Sequence, residues 1–137
     1  HLAMELEKNH PKCVIKLIPG VTSFSAAAAV SKLPLAFREE QLLVISVPES
    51  SEKLRTILVE AAELNRVVIL LKIGNKWTWV KPLLQELELL ESSIFAERVG
   101  LIDEQIFKAS ELPSGSRPYF SLLLVRQSWP LMMTSNP

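Results

Sequence analysis

The chain is poor in the residues that usually carry chemistry. It has one cysteine, Cys13, so it cannot form an internal disulfide. No Cys/His cluster at metal-ligand spacing surrounds it, so no metal site is expected. Its two histidines, His1 and His10, lie close to the N-terminus, where solvation is a simpler role than general-base catalysis. A phosphate-binding P-loop, a dinucleotide-binding glycine pattern, a nucleophile elbow and zinc spacing are all missing. Fifteen basic and fifteen acidic side chains cancel without forming blocks, which argues against nucleic acid or an anionic membrane as partner. No apolar run reaches the roughly 18 residues of a membrane span, and no signal-peptide pattern opens the chain. A reducing, cytoplasmic setting fits these absences.

What is present suits one globular domain: 137 residues, 48% of them hydrophobic, are enough to bury a core. The stretch Ile18-Pro19-Gly20-Val21-Thr22-Ser23-Phe24-Ser25-Ala26-Ala27-Ala28-Ala29 organises the reading. Pro19 and Gly20 allow a sharp reversal. Thr22 or Ser23 can then cap a helix whose alanines have almost no bulk, so that something packs closely against it. The free N–H groups at such a start either face a ligand or belong to an ordinary capped helix.

In order along the chain, residues 1 to 9 read as the last turns of an amphipathic helix, and Cys13 to Ile18 as a strand feeding the turn. The helix from Thr22 ends at Leu33-Pro34. Gln41 to Val47 is nearly all apolar, as in a strand covered on both faces. Leu54, Ile57, Leu58 and Ala61 mark a helix ending near Asn65, and Val67 to Leu71 a buried strand. Trp77, Val80, Leu84 and Leu87 mark another helix, with Pro82 expected in its first turn and one tryptophan of Trp77 and Trp79 in the core. Ser93 to Val99 is a third strand, and this β-α-β-α-β order predicts a parallel centre to the sheet. Gln105 to Ala109 and Tyr119 to Val125, joined by the polar loop 112–118, are expected to pair antiparallel. From Gln127 the tail has no clear period and is expected to be partly disordered. Glu97-Arg98 and Arg38-Glu39-Glu40 read as surface charges.

The 18–29 stretch, with Pro34-Leu35-Ala36, resembles the corresponding segment of precorrin-2 carbon-20 methyltransferases, members of the tetrapyrrole methylases of cobalamin synthesis. The resemblance continues through Val67-Val68-Ile69-Leu70-Leu71-Lys72-Ile73-Gly74, Glu97-Arg98-Val99-Gly100 and Pro118-Tyr119-Phe120-Ser121-Leu122-Leu123-Leu124-Val125. It covers nearly the whole chain but only the second half of a family member. It implies an α/β fold with a mixed sheet of about five strands and flanking helices. Residues 1–19 would complete an otherwise missing first, N-terminal domain, and residues 20–137 would form the second. The opening on His1 rather than methionine fits a piece of a longer protein.

The resemblance further implies S-adenosylmethionine as cofactor, a tetrapyrrole as substrate and a homodimer as the assembly. It places Thr22 and Ser23 beside the cofactor's methionine portion and puts Leu71 where relatives often have a methionine against the adenine, a swap that keeps apolar volume. Ala96 and Tyr119 would edge the same cleft at strand ends. After Gly100, Ile102 replaces the family's proline and Glu104-Gln105 stands for a Gln-Arg pair. The lost arginine leaves no bidentate carboxylate clamp there. No residue is singled out as catalytic. Two other readings stay open: a non-catalytic interaction or dimerisation domain, and a tetrapyrrole methylase acting at another ring carbon.

Overall fold

The computed structural model describes residues 2–127. Five strands form one mixed sheet in the order β1-β2-β5-β3-β4. They are β1 Gln41–Ser46, β2 Arg66–Leu71, β3 Ser93–Glu97, β4 Gln105–Lys108 and β5 Ser121–Val125. β1 and β2 are parallel, whereas β5 runs antiparallel to both β2 and β3, and β4 antiparallel to β3. β1, β2 and β3 therefore end at the same edge of the sheet, where β5 begins. The most apolar strands, β2 and β5, hold the interior positions, because a strand covered on both faces must be apolar throughout.

Register divides the sheet into two faces. Val68, Leu70, Phe95, Leu123 and Val125 point to one side, under helices α3 (Ser51–Glu63) and α4 (Trp77–Glu86). Leu54, Leu58, Ala61, Val80 and Leu84 recur at helical spacing and supply the inward stripes of those helices, all buried. Ser50 caps α3 by accepting the N–H of Lys53 at 3.1 Å. Between the helices the Arg55 guanidinium donates to Glu86 at 2.5 Å, which holds the Glu86 carboxyl below its ordinary range. The opposite face carries α2 (Ser23–Ser31), whose Phe24 and Ala27 lie over Ala96, Leu122 and their neighbours. The first helix, α1 (Leu2–Asn9), buries no residue.

Several expectations need correction. Cys13 to Ile18 form no strand: no described strand pairs with them, and Val14, Leu17 and Ile18 are largely exposed. β-branched composition permits a strand, but an extended segment without a partner edge leaves its backbone groups to water. β1 is an edge strand with Leu42 and Val44 over a third exposed, and α2 packs mainly toward β5 and β4. The parallel centre is interrupted by β5, which lies between β2 and β3.

Nor do β4 and β5 pair with one another; each pairs with β3. The loop before β5 is long enough to carry that apolar strand across β3 into the covered gap beside β2, while the more polar β4 takes the edge. Pro82 falls in the second turn of α4, where it removes the hydrogen bond to the carbonyl of Thr78. Trp77 is the fully buried tryptophan, and Trp79 is partly buried against the same core. The expectation for the tail beyond Gln127 lies outside the described residues.

Candidate functional site

The site is built where β2 and β3 end and β5 begins. Leu71 pairs with Leu122, which pairs in turn with Ala96, so these three form one row across the sheet on the α2 side. The small side chain of Ala96 and the buried Ala27 of α2 let helix and sheet approach closely. Thr22 caps the helix: its backbone is extended, its Oγ1 accepts the N–H of Ser25 at 3.4 Å, and its hydroxyl donates to Ser25 Oγ at 2.9 Å. The cap leaves the N–H groups of Ser23 and Phe24 without an intrahelical acceptor at this end of the sheet.

The segment before β5 is fastened to both neighbouring strand ends. Arg117 donates from its backbone to Gly74 O at 3.1 Å and from Nε to Glu97 Oε1 at 2.6 Å. Gly74 N–H donates to Ser121 Oγ, whose hydroxyl donates to Pro118 O. Arg98 N–H donates to Phe120 O at 2.8 Å. These bonds set Tyr119 and Phe120, 65% and 68% exposed, at the rim with their rings edge to face at 5.5 Å. Large exposed aromatics beside a concavity are a signature of ligand contact.

The result is a cavity of about 450 Å³ with a mostly apolar wall. Ser23, Leu71, Ala96 and Tyr119, four of the five residues singled out from sequence, line it together. Thr22 is not in its wall; it stands one residue back, with its hydroxyl engaged by Ser25. The lining holds no histidine, cysteine or carboxylate; the polar side chains it offers are Ser23, Lys72, Arg98, Tyr119 and Ser121. Among the described residues no group of three or more His, Cys, Asp or Glu could hold a metal ion.

Sequence reasoning missed Lys72, Arg98 and Phe120, which also line the cavity. The signal is their position: Lys72 and Arg98 directly follow β2 and β3, and Phe120 directly precedes β5. It also misplaced some charges. Glu97 is buried, 5% exposed, and paired with Arg117. Glu40 is half-buried and accepts from Arg126, 1% exposed, at 2.8 Å, whereas Arg38 and Glu39 are exposed. In both cases a partner far along the chain makes burial of the charge tolerable. Glu104 accepts the N–H of Gly100 at 3.0 Å, and Gln105 opens β4, so neither brings a cation to the site.

Comparison with known proteins gives a consistent answer. Residues 1–113 match the family model described as Tetrapyrrole (Corrin/Porphyrin) Methylases. The chain is 33% identical over 119 residues to the Cobalt-precorrin-2 C(20)-methyltransferase of Salmonella typhimurium, covering 84% of this chain and 48% of that protein. It is 24% identical to the Precorrin-2 C(20)-methyltransferase of a Sinorhizobium species, again covering 48% of it. The chain thus spans about half the length of these relatives. Among solved structures, the methyltransferase CobJ matches with a TM-score of 0.58 at 21% identity, covering 90% of this chain and 56% of that one. The Uroporphyrin-III C-methyl transferase of Thermus thermophilus, solved with S-adenyl homocysteine, matches with a TM-score of 0.53 at 22% identity, covering 88% of this chain and 56% of that one. By fold, by sequence and by the extent of the family match, this chain belongs to the tetrapyrrole (corrin/porphyrin) methylases.

Proposed function

We propose that the chain is the second α/β domain of a methyltransferase that moves a methyl group from S-adenosylmethionine to carbon 20 of precorrin-2, or of cobalt-factor II, in cobalamin synthesis. Residues 1–19 would then belong with the first domain and residues 20–137 would form the second. The observation that carries this reading is the convergence of Ser23, Leu71, Ala96 and Tyr119, scattered along the sequence, on one cavity wall at the strand ends. The names of the Salmonella and Sinorhizobium relatives support carbon 20. A cytoplasmic homodimer is the assembly that the family resemblance implies.

The bound cofactor supplies an already activated methyl group, so the protein has only to orient it, exclude water and offer dipoles. In this reading Ser23 and the capped start of α2 present donors to the cofactor's amino-acid end. Leu71 and Ala96 give a flat apolar wall for its base, and Tyr119 closes the rim. Half of such a site is not expected to turn over alone. The test is to combine the chain with the complementary first domain in trans, using methyl-labelled S-adenosylmethionine and precorrin-2. Labelled methyl at carbon 20 is expected only from the combination. Turnover by the chain alone would contradict the two-domain reading, and label at another ring carbon would contradict the assigned position.

A further inference from the structure

Ala96 and Glu97 are neighbours at the end of β3, so their side chains leave the sheet on opposite faces. Ala96 lines the cavity on the α2 side, whereas Glu97 shares the α4 side with Phe95. Arg117 meets Glu97 there, behind the sheet. The two are 2.6 Å apart, their side chains 19% and 6% exposed, and neither lines the cavity. The guanidinium also lies 6.0 Å from the centroid of the fully buried Phe95 ring, a cation over an aromatic face. Because the Arg117 backbone N–H donates to Gly74 O at 3.1 Å, one residue is tied both to the chain after β2 and to the end of β3. Only Pro118, whose ring fixes its φ, separates this clamp from Tyr119 at the cavity rim.

We propose that Arg117 is a positioning residue: clamped behind the sheet by Glu97 and joined to the rim through Pro118, it fixes the setting of Tyr119 and so tunes the affinity of the cavity without touching its ligand. The effect on cofactor affinity rests on reading the cavity as the S-adenosylmethionine site; the setting of Tyr119 does not. A ring already held in place meets a ligand at little entropic cost, whereas a loose one must be ordered on binding. The charge-assisted bond from Nε to a buried carboxylate is a strong way to hold it.

Tyr119 is the only tyrosine of the chain, so labelling with 3-fluorotyrosine gives a single fluorine resonance at the rim. Arg117→Met keeps the apolar stem and removes the charge, while Glu97→Gln weakens the clamp and leaves the Arg117 charge in place. Both are expected to move and broaden the resonance, and Arg117→Lys to return it toward its wild-type position. A change shared by the two comes from the clamp and not from a charge lost near the label. Spectra recorded well below each variant's unfolding midpoint exclude a folding defect. An unmoved resonance in both variants, or a change in Arg117→Met alone, overturns the proposal. Calorimetric titration of S-adenosylhomocysteine reads the consequence for binding. Arg117→Met is expected to weaken it about fivefold, as for one side chain that must be ordered on binding. On a Tyr119→Ala background the same substitution should cost little more, because it acts through that ring. Equal losses on both backgrounds, or no loss from a wild-type chain that binds, overturn the effect on affinity. If the wild-type chain binds no S-adenosylhomocysteine, the cofactor reading fails and the fluorine resonance alone decides whether Arg117 sets the rim.

Discussion

Glu97→Ala is expected to destabilise the chain by about 3 kcal/mol, the lower end of the cost of breaking a buried ion pair. Glu97 is 5% exposed and sits 2.6 Å from Arg117 Nε, so its removal leaves a guanidinium in the interior with its main acceptor gone. The Arg117 side chain is 19% exposed, and the water that reaches it keeps the loss from the upper end of the range. The pair also fastens the segment before β5, so the damage should extend to the setting of Tyr119 and Phe120. Urea denaturation checks the first point: the midpoint should fall with the slope unchanged. The double variant Glu97→Ala with Arg117→Ala should lose less than the sum of the two single losses, because removing both charges leaves neither uncompensated. Additive losses would show that the pair is not coupled.

Trp77→Ala should cost more, about 4 kcal/mol. The indole is fully buried, packs edge to face on Phe95 at 4.8 Å between ring centroids, and donates from Nε1 to Pro113 O at 3.1 Å. Truncation creates a cavity under α4 and orphans that carbonyl. Against a total stability of about 5–15 kcal/mol for a domain, this is a quarter or more of the whole. Trp77→Phe keeps the ring contact and should lose roughly half as much. Equal losses for the two substitutions, measured by thermal or urea unfolding, would place the stabilisation in the hydrogen bond rather than in the ring.

The parts of the site that the sequence made legible are those whose chemistry is local. The hydroxyls at Thr22 and Ser23 announce a capped helix, and the helix begins at Ser23; the reversal expected at Pro19-Gly20 does not form, since residues 14–22 hold no turn and Gly20 takes no positive φ. Leu71 and Ala96 were placed correctly at or near strand ends because apolar runs and their stops can be read from composition. Their meeting through Leu122 could not be read. It depends on β5 crossing β3 to lie beside β2, a choice made by covering the most apolar strand on both faces and not by any local pattern.

The misread charges have the same origin. Glu97 beside Arg98 looks like a solvated pair in one dimension, yet one side chain turns inward to Arg117 and the other outward to Asp103. Cys13 to Ile18 show the converse, a strand-like composition with no described strand beside it. Composition states what a segment tolerates. A partner edge decides what it becomes.

The most direct test of the central claim, that this cavity is a preformed part of the cofactor site, is calorimetric titration of S-adenosylhomocysteine into the chain and its Tyr119→Ala variant. Tyr119 is 65% exposed, so its truncation leaves the core intact. The account predicts saturable binding by the wild-type chain, weakened about fivefold or more once the aromatic rim is lost. No heat of binding from the folded wild-type chain, or equal affinity in the two proteins, would contradict it.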